Sequence, residues 1–246
     1  MIINFFNTLK FFSEDHNDNF TTFSITHFIK ILIILVFGFV FIKISKKWGI
    51  KNQTSDKLIR YSLAFSLIFI DLIYQMWNIH RNGLNIKTLP LNLCDIVCYL
   101  TSIALLKNNH KIASIIYYWA LPSTTLAILF PSIKYSPMHF RFFHYFFVHF
   151  AQTLGCLYFF ITKKIYLSNS KNIKSITILF FISLIMLFLD LLSGQNWFYM
   201  VKSPIENISG FLGFPLYTIC WMLFIISFMR ISYFVTKFFF TPKKNS

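Results

Sequence analysis

A thiol, two imidazoles, a guanidinium and three carboxylates lie inside stretches of this chain that are otherwise apolar: Cys94, His144, His149, Arg141, Asp71, Asp95 and Asp190. A charged group near the centre of a membrane helix costs about 2.5–3.5 kcal/mol on insertion scales, so each asks for a partner or a function. A cysteine with a histidine in reach is the minimal nucleophile–base pair: the imidazole takes the thiol proton and the thiolate attacks an acyl carbon. A carboxylate can orient the imidazole, and amide donors can hold the oxyanion. Cys94 as nucleophile, His149 as base, Asp95 or Asp190 as orienting acid and Asn92 or Asn196 as donors would fill these roles. Acid and imidazole chains also serve as proton relays. The same Asp/His/Arg set therefore also suits a transporter or ligand-binding protein without covalent chemistry. The cysteine and histidine spacing matches no metal motif, and neither a metal nor a cofactor is expected.

The elements that must position these groups are membrane helices. Of 246 residues, 56% are hydrophobic and 13% charged, against about 25% charged in soluble domains. Such a composition cannot cover a water-exposed surface but can cover a lipid-exposed one. The formal charge of +15 raises nucleic acid as a partner, yet cytoplasmic loops of membrane proteins are ordinarily loaded with Lys and Arg. Membrane lipids are the expected partner and nucleic acid is not. All four cysteines (Cys94, Cys98, Cys156, Cys220) fall in apolar segments, leaving none for a loop disulfide framework. The first 25 residues carry Glu14, Asp15 and Asp18 and do not read as a cleaved signal peptide.

A spanning helix needs about 20 mainly apolar residues. Candidates lie near 26–44, 57–78, 89–106, 112–130, 138–162, 173–193 and 209–234. They make an all-α, polytopic bundle of about seven spans over 26–235. An extracytoplasmic tail, 1–25, precedes it and a basic cytoplasmic tail, 236–246, follows. With these spans, sixteen Lys and Arg fall on the side of the odd loops and C-terminus and six on the other, which places the N-terminus outside. Asn108 and Asn109 suit a tight turn between the third and fourth spans. Pro122 and Pro131 would kink or end the fourth, with Ser123, Thr124 and Thr125 re-satisfying backbone groups. His16, His27, His80 and His110 sit in or near loops, where solvated rings are expected.

Once each helix has a direction, Asp71, Cys94, Asp95, Arg141, His144, His149, Asp190 and Asn196 all fall in the outer-leaflet half, which predicts an outward-opening polar pocket. At about 100° per residue, Arg141, His144, Tyr145, His149 and Gln152 share one face of the fifth span. Asn92, Asp95, Cys98 and Ser102 share a face of the third, and Cys94 sits above Cys98 at i, i+4. Asn92, Arg141, His144, Tyr145, Asp190, Asn196 and Asp71 are thus candidate substrate-binding residues around Cys94, His149 and Asp95. Arg141 is suited to holding a phosphate bidentately.

Three segments carry a family resemblance. The run Leu89-Pro90-Leu91-Asn92-Leu93-Cys94-Asp95, the run His139-Phe140-Arg141-Phe142-Phe143 followed by His149, and the run Asn196-Trp197-Phe198-Tyr199-Met200 before Pro204 resemble the YwaF-like family of bacterial integral membrane proteins. The similarity covers about residues 55–235, with Asn92 where the family often has histidine. That family is remotely similar to eukaryotic membrane acyltransferases that remodel ether phospholipids with a Cys and a His, and in outline to lipid hydrolases using a Thr and a His. The resemblance implies Cys94 as nucleophile and His149 as base in lipid acyl transfer.

Overall fold

The structure is a computed structural model that describes residues 10–12, 20–133, 135–204 and 208–240. Glu14, Asp15, Asp18, His16, Lys134 and the end of the basic tail lie outside the described residues. Those described form seven long helices, one short helix and two 3-10 turns, without a strand.

The first long helix, α1 (Ile25–Trp48), starts at Ser24, whose side chain accepts from the His27 N–H. From Ile31 to Ile42 it carries no polar side chain. A helix apolar all round has no preferred inward face, and α1 accordingly lies at the edge of the bundle. Its only buried residues, His27 and Ser45, are near its two ends. His27 is fully buried, not solvated as expected from its place near a loop. Its Nδ1 accepts from the Phe23 N–H at 3.0 Å and its Nε2 donates to the Ile128 carbonyl at 2.8 Å, because a buried ring must satisfy both nitrogens.

Asn52 caps α2 (Gln53–Asn82), accepting from the N–H groups of Thr54 and Ser55, and Gly83 ends it with φ 71°. After a 3-10 turn at Ile86–Thr88, the chain runs extended to Asn92, the residue before α3 (Leu93–Lys107). The helix begins four residues later than the apolar pattern suggests, since Pro90 holds its neighbour out of the helical region. Asn108 turns left-handed (φ 49°) and Asn109 caps α4 (His110–Leu129), giving the tight hairpin expected of this pair. Pro122 lies inside α4. The hydroxyls of Ser123, Thr124 and Thr125 donate to the carbonyls of Trp119, Ala120 and Leu121.

His139 caps α5 (Phe140–Ile161), and α6 (Asn169–Ser193) runs from a Ser168 cap to Gly194 at φ 69°. The last predicted span is divided into α7 (Ile208–Leu212) and α8 (Leu216–Phe240). Gly213 at φ 67° breaks the helix, and Pro215 has no N–H to continue it. The last helix runs past 235, into the stretch read as tail.

Five of the helices, α1, α2, α4, α6 and α8, are long and apolar enough to cross a membrane. The protein is an all-helical, multi-pass membrane protein. The other two long helices are those that lipid would suit least. At 15 residues, α3 extends about 22 Å, and α5 carries Arg141, His144, His149 and Gln152. The bundle covers them: α5 packs against α1, α2, α3 and α4, while α3 packs against α2, α4 and α5. On its other side α4 meets α6 and α8, so it is the wall shared by two helix groups. Tyr117, Tyr118, Trp119 and Ala120 fill that wall and are buried.

Candidate functional site

Cys94 is the second residue of α3 and half-buried. Its backbone is held from α5, where Gln152 Nε2 donates to the Cys94 carbonyl at 2.9 Å. Gln152 is fully buried and lies three residues beyond His149 on α5, so the contact sets the first turn of α3 within one helical turn of that histidine. Gln152 is the residue of the predicted α5 face that reaches the main chain of Cys94.

His149 is 7% exposed, and its Nδ1 lies 2.6 Å from the Tyr145 carbonyl. A carbonyl only accepts, so Nδ1 carries the proton and the neutral ring has its lone pair on Nε2. The Tyr145 ring tilts against the imidazole at 4.4 Å between centroids, and its hydroxyl donates to the Ala127 carbonyl. The orienting partner of His149 is thus a main-chain oxygen.

The carboxylates direct their bonds elsewhere. Asp95 Oδ2 accepts from the Asn92 N–H at 3.1 Å and from Asn92 Nδ2 at 2.7 Å, closing the start of α3 as an N3 acid does in a capping box. Asp190, 1% exposed at the end of α6, accepts from the Trp197 N–H at 2.9 Å through Oδ1. Asn196 closes the same loop on itself, accepting from the N–H groups of Val201 and Lys202 and donating to the Lys202 carbonyl. Three α8 side chains then donate to that loop: Trp221 to the Phe198 carbonyl, Tyr217 to the Tyr199 carbonyl and Thr218 to the Met200 carbonyl. Asp190 and Asn196 shape a strap, in which Tyr199 takes φ 54°.

Asp71, Arg141 and His144 come together as a second chain of contacts. Arg141 Nη1 donates to His144 Nδ1 at 2.7 Å, and a guanidinium only donates, so the proton of a neutral His144 is on Nε2. That Nε2 lies 3.7 Å from Asp71 Oδ1, outside hydrogen-bond reach. Asp71 Oδ2 accepts from the Tyr99 hydroxyl at 2.7 Å. Tyr74 stacks on the His144 ring at 4.2 Å, and the Arg141 guanidinium lies 4.4 Å from the Tyr74 centroid. Pattern reading from the charged residues passed over Tyr74 and Tyr99. Both could have been found by spacing, because Tyr74 is three residues past Asp71 and Tyr99 four past Asp95, on the same helix faces.

Exposure is graded across the cluster. Asn92 is exposed, Cys94, Asp95 and Arg141 are half-buried, and Asp71, His144 and His149 are buried. The cluster therefore opens at the rim where α3 begins. Within the bundle it has two parts, one joining α3 to α5 at Cys94 and one joining α2, α3 and α5 at Asp71. Among the described residues no group of His, Cys, Asp and Glu is arranged to hold a metal ion.

No curated protein and no solved structure matches the chain. The sequence model of the TMEM164 family matches residues 20–233, from just before α1 to within α8, and so takes in every helix that builds the cluster. The chain belongs to the TMEM164 family.

Proposed function

We propose that the protein is a membrane-embedded acyltransferase or hydrolase acting on lipid acyl chains from the outer leaflet, with Cys94 as nucleophile and His149 as its base. The observation that carries this reading is the Gln152 bond to the Cys94 carbonyl, which brings the start of α3 alongside His149. The lone pair on His149 Nε2 supports it, since the donor bond from Nδ1 leaves that nitrogen as the proton acceptor. The Leu89–Asp95 and His139–His149 segments resemble the YwaF-like family, and the remote similarity of that family to lipid acyltransferases that use a Cys and a His points the same way.

In this reading the Cys94 thiol gives its proton to His149 Nε2 and the thiolate adds to an ester carbonyl. The N–H groups of Leu93 and Cys94, the first two of α3, precede those of Asp95 and Ile96 that bond the Asn92 carbonyl, and they serve the oxyanion. The carbon–oxygen bond to the leaving alcohol breaks, and His149 returns the proton to that oxygen. A second hydroxyl or water then loses its proton to His149 and attacks the thioester, releasing the new ester or the acid and restoring the thiol.

The test is to trap the thioester with an alkyne-bearing phospholipid. Hydroxylamine-sensitive labelling of the wild-type chain is expected, with none in Cys94→Ala. In His149→Gln it should fall by about 10²-fold or more, the usual contribution of a positioned base. Equal labelling of Cys94→Ala and wild type would remove the assignment. Uptake of intact lipid without any thioester would favour non-covalent binding by the same residues.

A further inference from the structure

The bundle end opposite Cys94 is rich in cations, and its own acid is already used. Asp56 is the one carboxylate there among the described residues. It is buried, accepting from Arg60 Nε at 3.0 Å, the Tyr158 hydroxyl at 2.6 Å and Lys164 Nζ at 2.5 Å. The other cations at this end have no carboxylate in ion-pairing distance among the described residues. They come from nearly every helix: Lys46 and Lys47 close α1, Lys57 opens α2, Lys107 ends α3, Lys111 opens α4 and Lys174 lies near the start of α6. All six are exposed.

Their neighbours decide which partner fits. Trp48 beside Lys47 is 55% exposed, Leu58 beside Lys57 67%, Ile173 beside Lys174 50% and Phe238 beside Lys237 80%. Against a nucleic acid or an acidic protein domain these large apolar side chains would be left in water. A lipid leaflet takes both kinds, with the apolar body among the chains and the ammonium at the level of the phosphates. Lys43 Nζ lies 4.5 Å from the Phe39 ring centroid and Lys57 Nζ 5.3 Å from that of Tyr61, so cations and rings share one level.

We propose that the Asp56 end is a binding surface for anionic phospholipid headgroups of the leaflet it faces. Their phosphates supply the countercharge missing from the protein's own residues at this end. The surface is independent of any chemistry at Cys94.

The test compares the full-length protein in nanodiscs of phosphatidylcholine alone with nanodiscs that also contain phosphatidylglycerol. The thermal midpoint is expected to rise by several degrees with the anionic lipid. The rise should vanish at about 1 M salt, where the screening length falls to about 3 Å. Replacing Lys46, Lys47, Lys107 and Lys111 together by Gln should remove most of it. The control Lys87→Gln with Lys202→Gln, at the opposite end, should keep it. Equal midpoints in the two discs, or an undiminished rise in the fourfold variant, overturn the proposal. So does an equal rise when inorganic phosphate or RNA is added to phosphatidylcholine discs. Should the fourfold variant not fold, enrichment of phosphatidylglycerol among the lipids retained by the wild-type protein decides the matter, and its absence overturns it.

Discussion

Asp56 and Asp71 lie on the same helix, about 22 Å apart at 1.5 Å per residue, and both are buried against α3 and α5. Asp56 is held by Arg60, Lys164 and Tyr158, while Arg60 also reaches the Leu105 carbonyl and Lys164 the side chain of Asn108. Among the described residues Asp71 accepts one hydrogen bond, from Tyr99, and His144 Nε2 stays 3.7 Å from its other oxygen. Near it, His144 Nε2 and Gln152 Oε1 are buried without a hydrogen-bond partner among the described residues, against Ser45 Oγ at the Asp56 end. Each such atom costs about 1–3 kcal/mol. A bundle able to build the Asp56 clamp has no physical need to leave the Cys94 end under-bonded. The difference teaches that one end is arranged for its own stability, and the other keeps polar capacity in reserve.

Four substitutions break or sharpen that contrast. The largest effect is expected for Asp56→Ala, which strands Arg60 and Lys164 at a buried position and should destabilise by about 3–5 kcal/mol, read from unfolding in detergent. A cost below about 1 kcal/mol would mean that the clamp is a solvated surface pair. Next is Gly155→Ala, at the crossing of α5 and α3 that fixes the spacing of both ends. Its new methyl would meet Thr101 Cγ2 at 2.6 Å and Leu105 Cδ1 at 3.2 Å. The β-branched threonine cannot swing aside freely, so overpacking should cost about 1–3 kcal/mol, and a neutral result would show the two helices free to part.

Gln152→Leu should reduce thioester trapping about tenfold, which corresponds to about 1.4 kcal/mol. Its stability should stay within about 1 kcal/mol, because the lost amide already leaves Oε1 unbonded. A fall in stability matching the fall in trapping would make Gln152 a packing residue only. The smallest effect belongs to Tyr158→Phe. Asp56 keeps its two cations there, so the loss should be about 1 kcal/mol. A penalty equal to that of Asp56→Ala would show that the clamp depends on the hydroxyl rather than on its charges.

All seven long helices were legible in the sequence, five of them because an apolar run of about 20 residues between polar turns has few alternatives in a membrane, and α3 and α5 from shorter or more polar runs between turn residues. Their ends were less so. Asn92 and Pro90 moved the start of α3, and Gly213 with Pro215 split the last span, since local backbone chemistry overrides average hydropathy. Of the site, spacing alone showed that Arg141, His144, Tyr145, His149 and Gln152 share a face of α5. It could not show that Asp95 turns back to Asn92, or that a main-chain oxygen orients His149, because backbone acceptors leave no mark in residue type. The Asp56 clamp was missed for a different reason. Arg60 and Lys164 were counted among charges that report topology, whereas the structure consumes them as partners; the Asp56–Arg60 spacing of i, i+4 was the available clue.

The shortness of α3 has a consequence for where chemistry happens. Its far end is tied at Leu105 and Asn108 into the Asp56 clamp, at the level of the lysine rim. A helix of about 22 Å rising from there falls about 8 Å short of the opposite face of a hydrocarbon layer about 30 Å thick. Cys94 is therefore submerged rather than surface-borne. The stretch from Leu89 to Asn92 carries polar main chain down to it. Non-helical main chain is tolerated at such depth because its N–H groups are bonded locally, Leu89 to the Ile86 carbonyl, Leu91 to the Leu89 carbonyl and Asn92 to Asp95. The helices packed against α3 are longer, at 30, 20 and 22 residues, so the depression above its first turn is walled by protein.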